Sequence, residues 1–211
     1  IRDRVELRSE CRVREILVDQ LTGFATGVLY HGADGQVHEQ KAELVVVACN
    51  GVGTPRLLLN SKSKAFPDGL ANRNGMVGKN LMFHPLTGVT GVFGEPMLGH
   101  EGPMACSILS QEFYETDSTR DFVRGYGLHS GRSTTPMTYA LGGYGIDSPI
   151  PWGAEHRDTM DNVYPYLAGL TVVSEDLPEE QNCVTLDPDM TDSDGIPAPK
   201  ITYRLGENTR K

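Results

Sequence analysis

The sequence has no run approaching the roughly 18 to 20 apolar residues that a membrane-spanning helix requires. It has no G-x-S-x-G elbow, so a Ser/His/Asp hydrolase of that type would lack its nucleophile turn. Its four cysteines, Cys11, Cys49, Cys106 and Cys183, form no C-x-x-C pair, which argues against a zinc knuckle or a dithiol redox motif. Far apart along the chain, they are expected to be small buried hydrophobes. Positive charge is scarce: 19 Lys and Arg stand against 28 Asp and Glu, and without a basic cluster no nucleic-acid partner is expected. There is no internal repeat and no low-complexity tract. The opening residues, Ile1 to Val5, have none of the marks of a signal peptide and read as the approach to a strand inside a larger protein.

What is present is an ordinary globular composition, 38% hydrophobic and 22% charged, which is enough apolar chain for a real core. In the first sixty residues Val5 and Leu7 alternate with polar neighbours, as do Cys11 and Val13, while Ile16 and Val18 continue one step out of phase. That slip predicts a bulge. After a turn at Thr22-Gly23, the runs Gly27–His31 and Gln36–His38 flank Asp34-Gly35, a hairpin signal because Gly accepts positive φ. Leu44–Ala48 is continuously apolar and predicts a strand covered on both faces, as in a parallel sheet. A glycine-bearing turn, Asn50–Gly53, follows. Thr54 suits a helix N-cap and Pro55 the first helical position, so a helix is expected to start within two residues of Thr54.

Between Ser61 and Asn80 the texture shifts to Lys, Asn, Gly and Asp, and a domain boundary is expected there, giving domains at about 1–80 and 81–211. The second part offers short strands at Thr87–Phe93, Ala105–Leu109, Tyr126–His129, Leu167–Ser174, Cys183–Leu186 and Lys200–Tyr203, the last three as neighbours in one sheet. The stretch from Gly131 to Asn162 is too long for a compact connection and reads as a lid or a partner-facing excursion. Within it the single tryptophan, Trp152, reads either as a contact for a partner or sugar or, as expected here, as an anchor packing the loop on its own domain. The acidic run Asp187–Gly195 fails as an EF-hand, because Gly195 at loop position six would leave Ile201 where the last ligand belongs. It reads as a solvated hairpin loop turning at Asp194-Gly195.

Taken together, several segments resemble one family. Ala42–Gly51 is similar to the second flavin-binding signature of two-dinucleotide-domain flavoproteins. Gly51-Val52-Gly53-Thr54-Pro55-Arg56-Leu57-Leu58-Leu59-Asn60-Ser61 resembles the second signature of the glucose-methanol-choline (GMC) oxidoreductases. Where that signature runs into a glycine-rich turn, Lys62-Ser63-Lys64 stands here, a departure that resembles the gluconate and sugar dehydrogenase branch. Gly78-Lys79-Asn80-Leu81-Met82-Phe83-His84-Pro85 resembles the family's entry into its substrate domain. Asn182–Asp187 and Asp194–Pro197 resemble the edge of that domain's sheet.

The resemblance implies an α+β architecture: part of a Rossmann-like FAD-binding domain, then a mostly antiparallel substrate-binding sheet. It implies oxidation of a CH–OH group of a small-molecule alcohol, sugar or sugar acid, with hydride passing to FAD and onward to an electron-acceptor subunit. In the matching positions, the Val13 backbone of Cys11-Arg12-Val13 would meet the adenine edge, and Ala48, Cys49, Asn50 and Gly51 would pass close to the dinucleotide. Each also has a plainer reading, as strand or tight-turn residues. His84 is either a group at the flavin edge or substrate entrance, or an interdomain packing histidine; the other five histidines have no metal-ligand spacing.

Two hallmarks are missing: a G-x-G-x-x-G fingerprint for the pyrophosphate, and the family's catalytic histidine segment. The chain is therefore expected to be an internal piece, carrying no catalytic residue and retaining no FAD by itself. The competing class is a non-enzymatic β-rich binding module on a dehydrogenase-derived scaffold.

Overall fold

The computed structural model describes residues 4–101, 108–131, 135–141 and 152–211. Within them the chain is α+β with antiparallel sheets, and it divides into two compact units, Ile1–Met82 with Pro178–Arg204 and Phe83–Leu177 with Leu205–Lys211.

The first unit opens with an antiparallel meander of β1 (Arg12–Val18), β2 (Ala25–His31) and β3 (Val37–Lys41). The register of β1 on β2 shifts between Val13 and Glu15, which is the bulge that the phase slip predicts. The second hairpin closes at Gly35, whose φ of +73° an L side chain would resist; Asp34 Oδ1 accepts from the Gln36 N–H at 3.0 Å. Helix α1 (Asn50–Asn60) packs against β1 and against the hairpin of β8 (Cys183–Thr191) and β9 (Pro197–Thr202). Ile16, Leu57, Leu81, Val184 and Ile196 form the buried apolar set of this unit.

The motif Gly78–Pro85 acquires a physical reading here. Gly78 and Asn80 have φ of +88° and +59°, Leu81 is buried, and its N–H donates to the Asn182 carbonyl at 2.8 Å. Gly and Asn are the residue types that take this left-handed backbone most readily.

Three expectations are corrected in this unit. Leu44–Ala48 forms no strand and pairs with none among the described residues, and Leu44 and Val46 are 79% and 80% exposed. Val45 and Val47 are half-buried, so these residues cover one face of the run, and an uncovered run without a hydrogen-bonding neighbour makes no ladder. The helix begins at Asn50, four residues before Thr54, because Asn50 tolerates φ of +61° and its side chain caps the Val52 and Gly53 N–H groups. Cys11 and Cys49 are exposed, lying at the edge of the meander and in the turn, while Cys183 is half-buried.

The second unit is a four-stranded antiparallel sheet in the order β4 (Leu86–Val92), β7 (Leu167–Ser174), β6 (Tyr126–Gly131), β5 (Ile108–Ser110). The part of the expected Ala105–Leu109 strand before residue 108 lies outside the described residues, as do 132–134 and 142–151 of the long excursion. The rest of that excursion carries α2 (Pro136–Ala140), with the Thr135 side chain accepting from the Thr138 N–H, and α3 (Ala154–Asn162). Tyr139, Tyr164 and Leu167 are buried together, flanked by Met160 and Val163. Trp152 does not anchor this cluster: it is 87% exposed and stacks only loosely on His156, at 6.2 Å between ring centroids.

The expectation that β7, β8 and β9 share one sheet is also corrected. β8 and β9 pair with each other, from Cys183 opposite Thr202 onward, but leave β7 for the first unit. The reason is hydrophobic: Val184 and Ile196 reach 1% and 6% exposure in that unit, whose α1 they adjoin.

Candidate cofactor-binding site

The candidate residues of the first unit lie on two elements that pack together. Val13 is in β1, the outer strand of the meander, and is 40% exposed. Ala48, Cys49, Asn50 and Gly51 form the entry to α1, and all four are exposed. A Cβ at Gly51 would meet nothing within 4 Å, so its backbone is open to close approach by a flat group. His84 belongs to the second unit, exposed, two residues ahead of β4.

The same turn does not form a phosphate cradle. The Val52 and Gly53 N–H groups, which would face an anion at a helix start, donate to Asn50 Oδ1 at 2.9 and 3.0 Å. The Cys49 N–H donates to Thr54 Oγ1 at 3.2 Å. The turn thus fits a group that approaches backbone, and not one that needs several free N–H donors.

One residue that sequence reasoning treats as solvated loop is a junction. Asp192 Oδ2 accepts from Arg56 Nη2 at 2.8 Å and from Arg12 Nη1 at 3.3 Å, while Oδ1 accepts from the Asp194 and Ile196 N–H groups. Arg12 also reaches Asp194 at 2.8 Å, and Arg56 donates to the Pro197 and Ile196 carbonyls. A signal for this was available in Arg56, a lone cation inside Pro55–Leu59 that requires a partner when its helix packs.

Burial pushes the Asp192 carboxyl up, but the Arg56 guanidinium and the Ile196 and Asp194 N–H groups outweigh it, holding the pKa at about 2 rather than 3.8. Because the folded value is the lower one, this stabilisation is complete above 3.8 and is lost as pH falls through about 2. Allowing for solvent screening of a side chain 20% exposed, it amounts to about 1 to 2 kcal/mol. Denaturant unfolding of Asp192→Asn at pH 7 is expected to show a loss of that size. The difference from the parent chain should shrink as both are titrated below pH 3.8. An unchanged gap across that range would remove the ionic account.

Residues 2–86 match the family model described as GMC oxidoreductase. Across 96% of its length the chain is 42% identical to 2-methyl-1,2-propanediol dehydrogenase of Mycolicibacterium austroafricanum, of which it covers 37%. The chain belongs to the GMC oxidoreductase family. It is also similar to the fructose dehydrogenase large subunit of Gluconobacter japonicus, at 31% identity over 88% of this chain and 33% of that protein. A shorter similarity, 31% over 38% of the chain and 16% of that protein, is to paromamine 6'-oxidase of Streptomyces fradiae. The GMC chain thus spans about a third of the length of the first two curated relatives it matches. No helix of its described residues is long and apolar enough to cross a membrane.

Proposed function

We propose that this GMC chain is part of an FAD-dependent oxidoreductase acting on the CH–OH group of an alcohol, a sugar or a sugar acid, with the look of the sugar dehydrogenase branch. The observation that carries the reading is similarity to two dehydrogenases across nearly the whole chain, joined to an open Gly51 backbone at the flavin signature. The first unit, residues 1–82 with 178–204, would contribute to a Rossmann-like FAD-binding domain, and the second, 83–177 with 205–211, to the substrate-binding domain. When bound, the flavin supplies the hydride acceptor.

The chain's own residues bind and orient. Val13 offers backbone N–H and C=O to the adenine edge, and Ala48–Gly51 let the dinucleotide lie against backbone. His84 stands on the substrate side. The matching fructose dehydrogenase chain is named a large subunit, which supports an electron-acceptor subunit as partner here.

The test is made on the longer protein that carries this chain. Its visible spectrum is expected to show an oxidised flavin that is released on denaturation as FAD. Anaerobic addition of a vicinal diol, a ketohexose or a sugar acid is expected to bleach it. A colourless protein, or a flavin that none of the three classes bleaches, would overturn the proposal.

A further inference from the structure

The two backbone stretches assigned to the dinucleotide, Val13 in β1 and Ala48–Gly51 at the start of α1, are separate in sequence and must be held at a fixed spacing. We propose that Asp192 is the positioning residue that sets this spacing, by clamping β1 to α1 from the β8–β9 turn; the inference rests on the cofactor reading above.

The geometry is that of a two-point attachment. β1 is the outer strand of the meander, with β2 along one edge. On α1 it is held at Ile16, whose N–H donates to Ser61 Oγ at 2.9 Å while that hydroxyl donates to the Leu57 carbonyl at 2.7 Å. That contact is buried and lies at the helix C-terminus. It fixes one place on the strand, and the register shift between Val13 and Glu15 lies between it and the candidate adenine edge.

The second attachment is Arg12, the neighbour of Val13. Its guanidinium and that of Arg56, midway along α1, converge on the same oxygen of Asp192. Adjacent strand residues point to opposite faces, so Arg12 can grip the hairpin without obstructing Val13. Asp192 cannot turn away, because its other oxygen accepts two N–H groups of its own turn. With all acceptors engaged and both guanidiniums shared, the strand, the helix and the turn move as one body. Removing the clamp leaves Ile16 as the remaining tie of β1 to α1, and the Val13 edge, still paired with Tyr30 of β2, can shift with the meander relative to the helix.

The experiment compares FAD with FMN, which lacks the adenine half, on the apo form of the longer protein. Two variants are used: Asp192→Asn, which keeps the turn hydrogen bonds, and Arg12→Met, which leaves the Asp192–Arg56 pair intact should the first fail to fold. Each is expected to raise the FAD dissociation constant about tenfold, the loss of roughly one or two hydrogen bonds, with FMN affinity unchanged. Lys79→Gln, which breaks the exposed 2.8 Å pair with Glu180 in the same unit, is expected to change neither. A parallel loss of FAD and FMN binding in Arg12→Met would mean a purely structural ion pair and would overturn the inference, as would no change in either. If the parent protein itself shows no preference for FAD over FMN, the adenine reading of Val13 fails, and the clamp loses its role with it.

Discussion

Titrated with FAD, the purified 211-residue chain is expected to show no saturable change in flavin fluorescence at low micromolar concentration, and no dye reduction with gluconate, fructose or simple alcohols. A flavin dinucleotide is held chiefly at its pyrophosphate, by several backbone N–H groups and the positive end of a helix. The sequence has no G-x-G-x-x-G turn to supply them. The helix start that lies in the flavin signature has spent its donors on Asn50 Oδ1 and Thr54 Oγ1. What is left is the Val13 edge and the open Gly51 backbone. At about 0.5 to 1.5 kcal/mol for each hydrogen bond, a few such contacts do not offset an association cost of about 4 kcal/mol or more. Stoichiometric binding at low micromolar FAD, or any turnover, would show that the cofactor is held elsewhere on this chain.

Gly78→Ala is expected to be the most damaging single methyl addition in the first unit. A Cβ at Gly78 would stand 2.1 Å from the Val184 carbonyl oxygen, on a backbone with φ of +88°. The clash cannot be relieved by a side-chain rotation, because the obstacle is backbone. Relief requires β8 to withdraw, which breaks the 2.7 Å hydrogen bond from the Val184 N–H to the Gly78 carbonyl and pulls the 1%-exposed Val184 from the core. Strain of about 1 to 3 kcal/mol for the backbone and a further 1 to 3 for the lost bond and packing give a destabilisation of about 2 to 6 kcal/mol. Gly35→Ala is the control. It has a similar φ, +73°, but nothing lies within 4 Å of its Cβ, so about 1 kcal/mol is expected. Equal losses in the two variants, measured by denaturant unfolding, would show that φ alone matters and the Val184 contact does not.

Features fixed by neighbours in sequence were legible before the structure. Asp34-Gly35 and Asp194-Gly195 turn where their chemistry says, since Gly35 and Gly195 both have φ of +73° and the hydrogen bonds that close each turn are local. The out-of-phase Ile16 marked the bulge, and β4, β6 and β7 stand within a residue or two of where short β-like runs between Gly- and Pro-rich loops placed them. What could not be read depended on distant partners. Leu44–Ala48 has the composition of a two-sided strand, but composition does not say which residues cover it. The affiliation of β8 and β9 was decided by Val184 and Ile196 finding the α1 side of the first unit rather than by the short connections that suggested β7. At the candidate site, the open turn was legible from Gly51, whereas Asp192 was not, because its partners Arg56 and Arg12 lie 136 and 180 positions away.

The return of residues 178–204 to the unit formed by residues 1–82 has a consequence for how the protein is made. During synthesis the meander and α1 emerge before residues 83–177, and the side of α1 that packs on β8 and β9 must wait while that stretch is translated. Contacts of such long range carry a large loop-closure cost and form late. At about 5 to 20 residues per second, the more than 130 positions between Arg56 and Asp192 correspond to an interval of roughly 7 to 30 seconds on the ribosome. In that window the first unit is a client for chaperones and proteases, and a chain released before residue 178 can never mature, however complete its first 82 residues are.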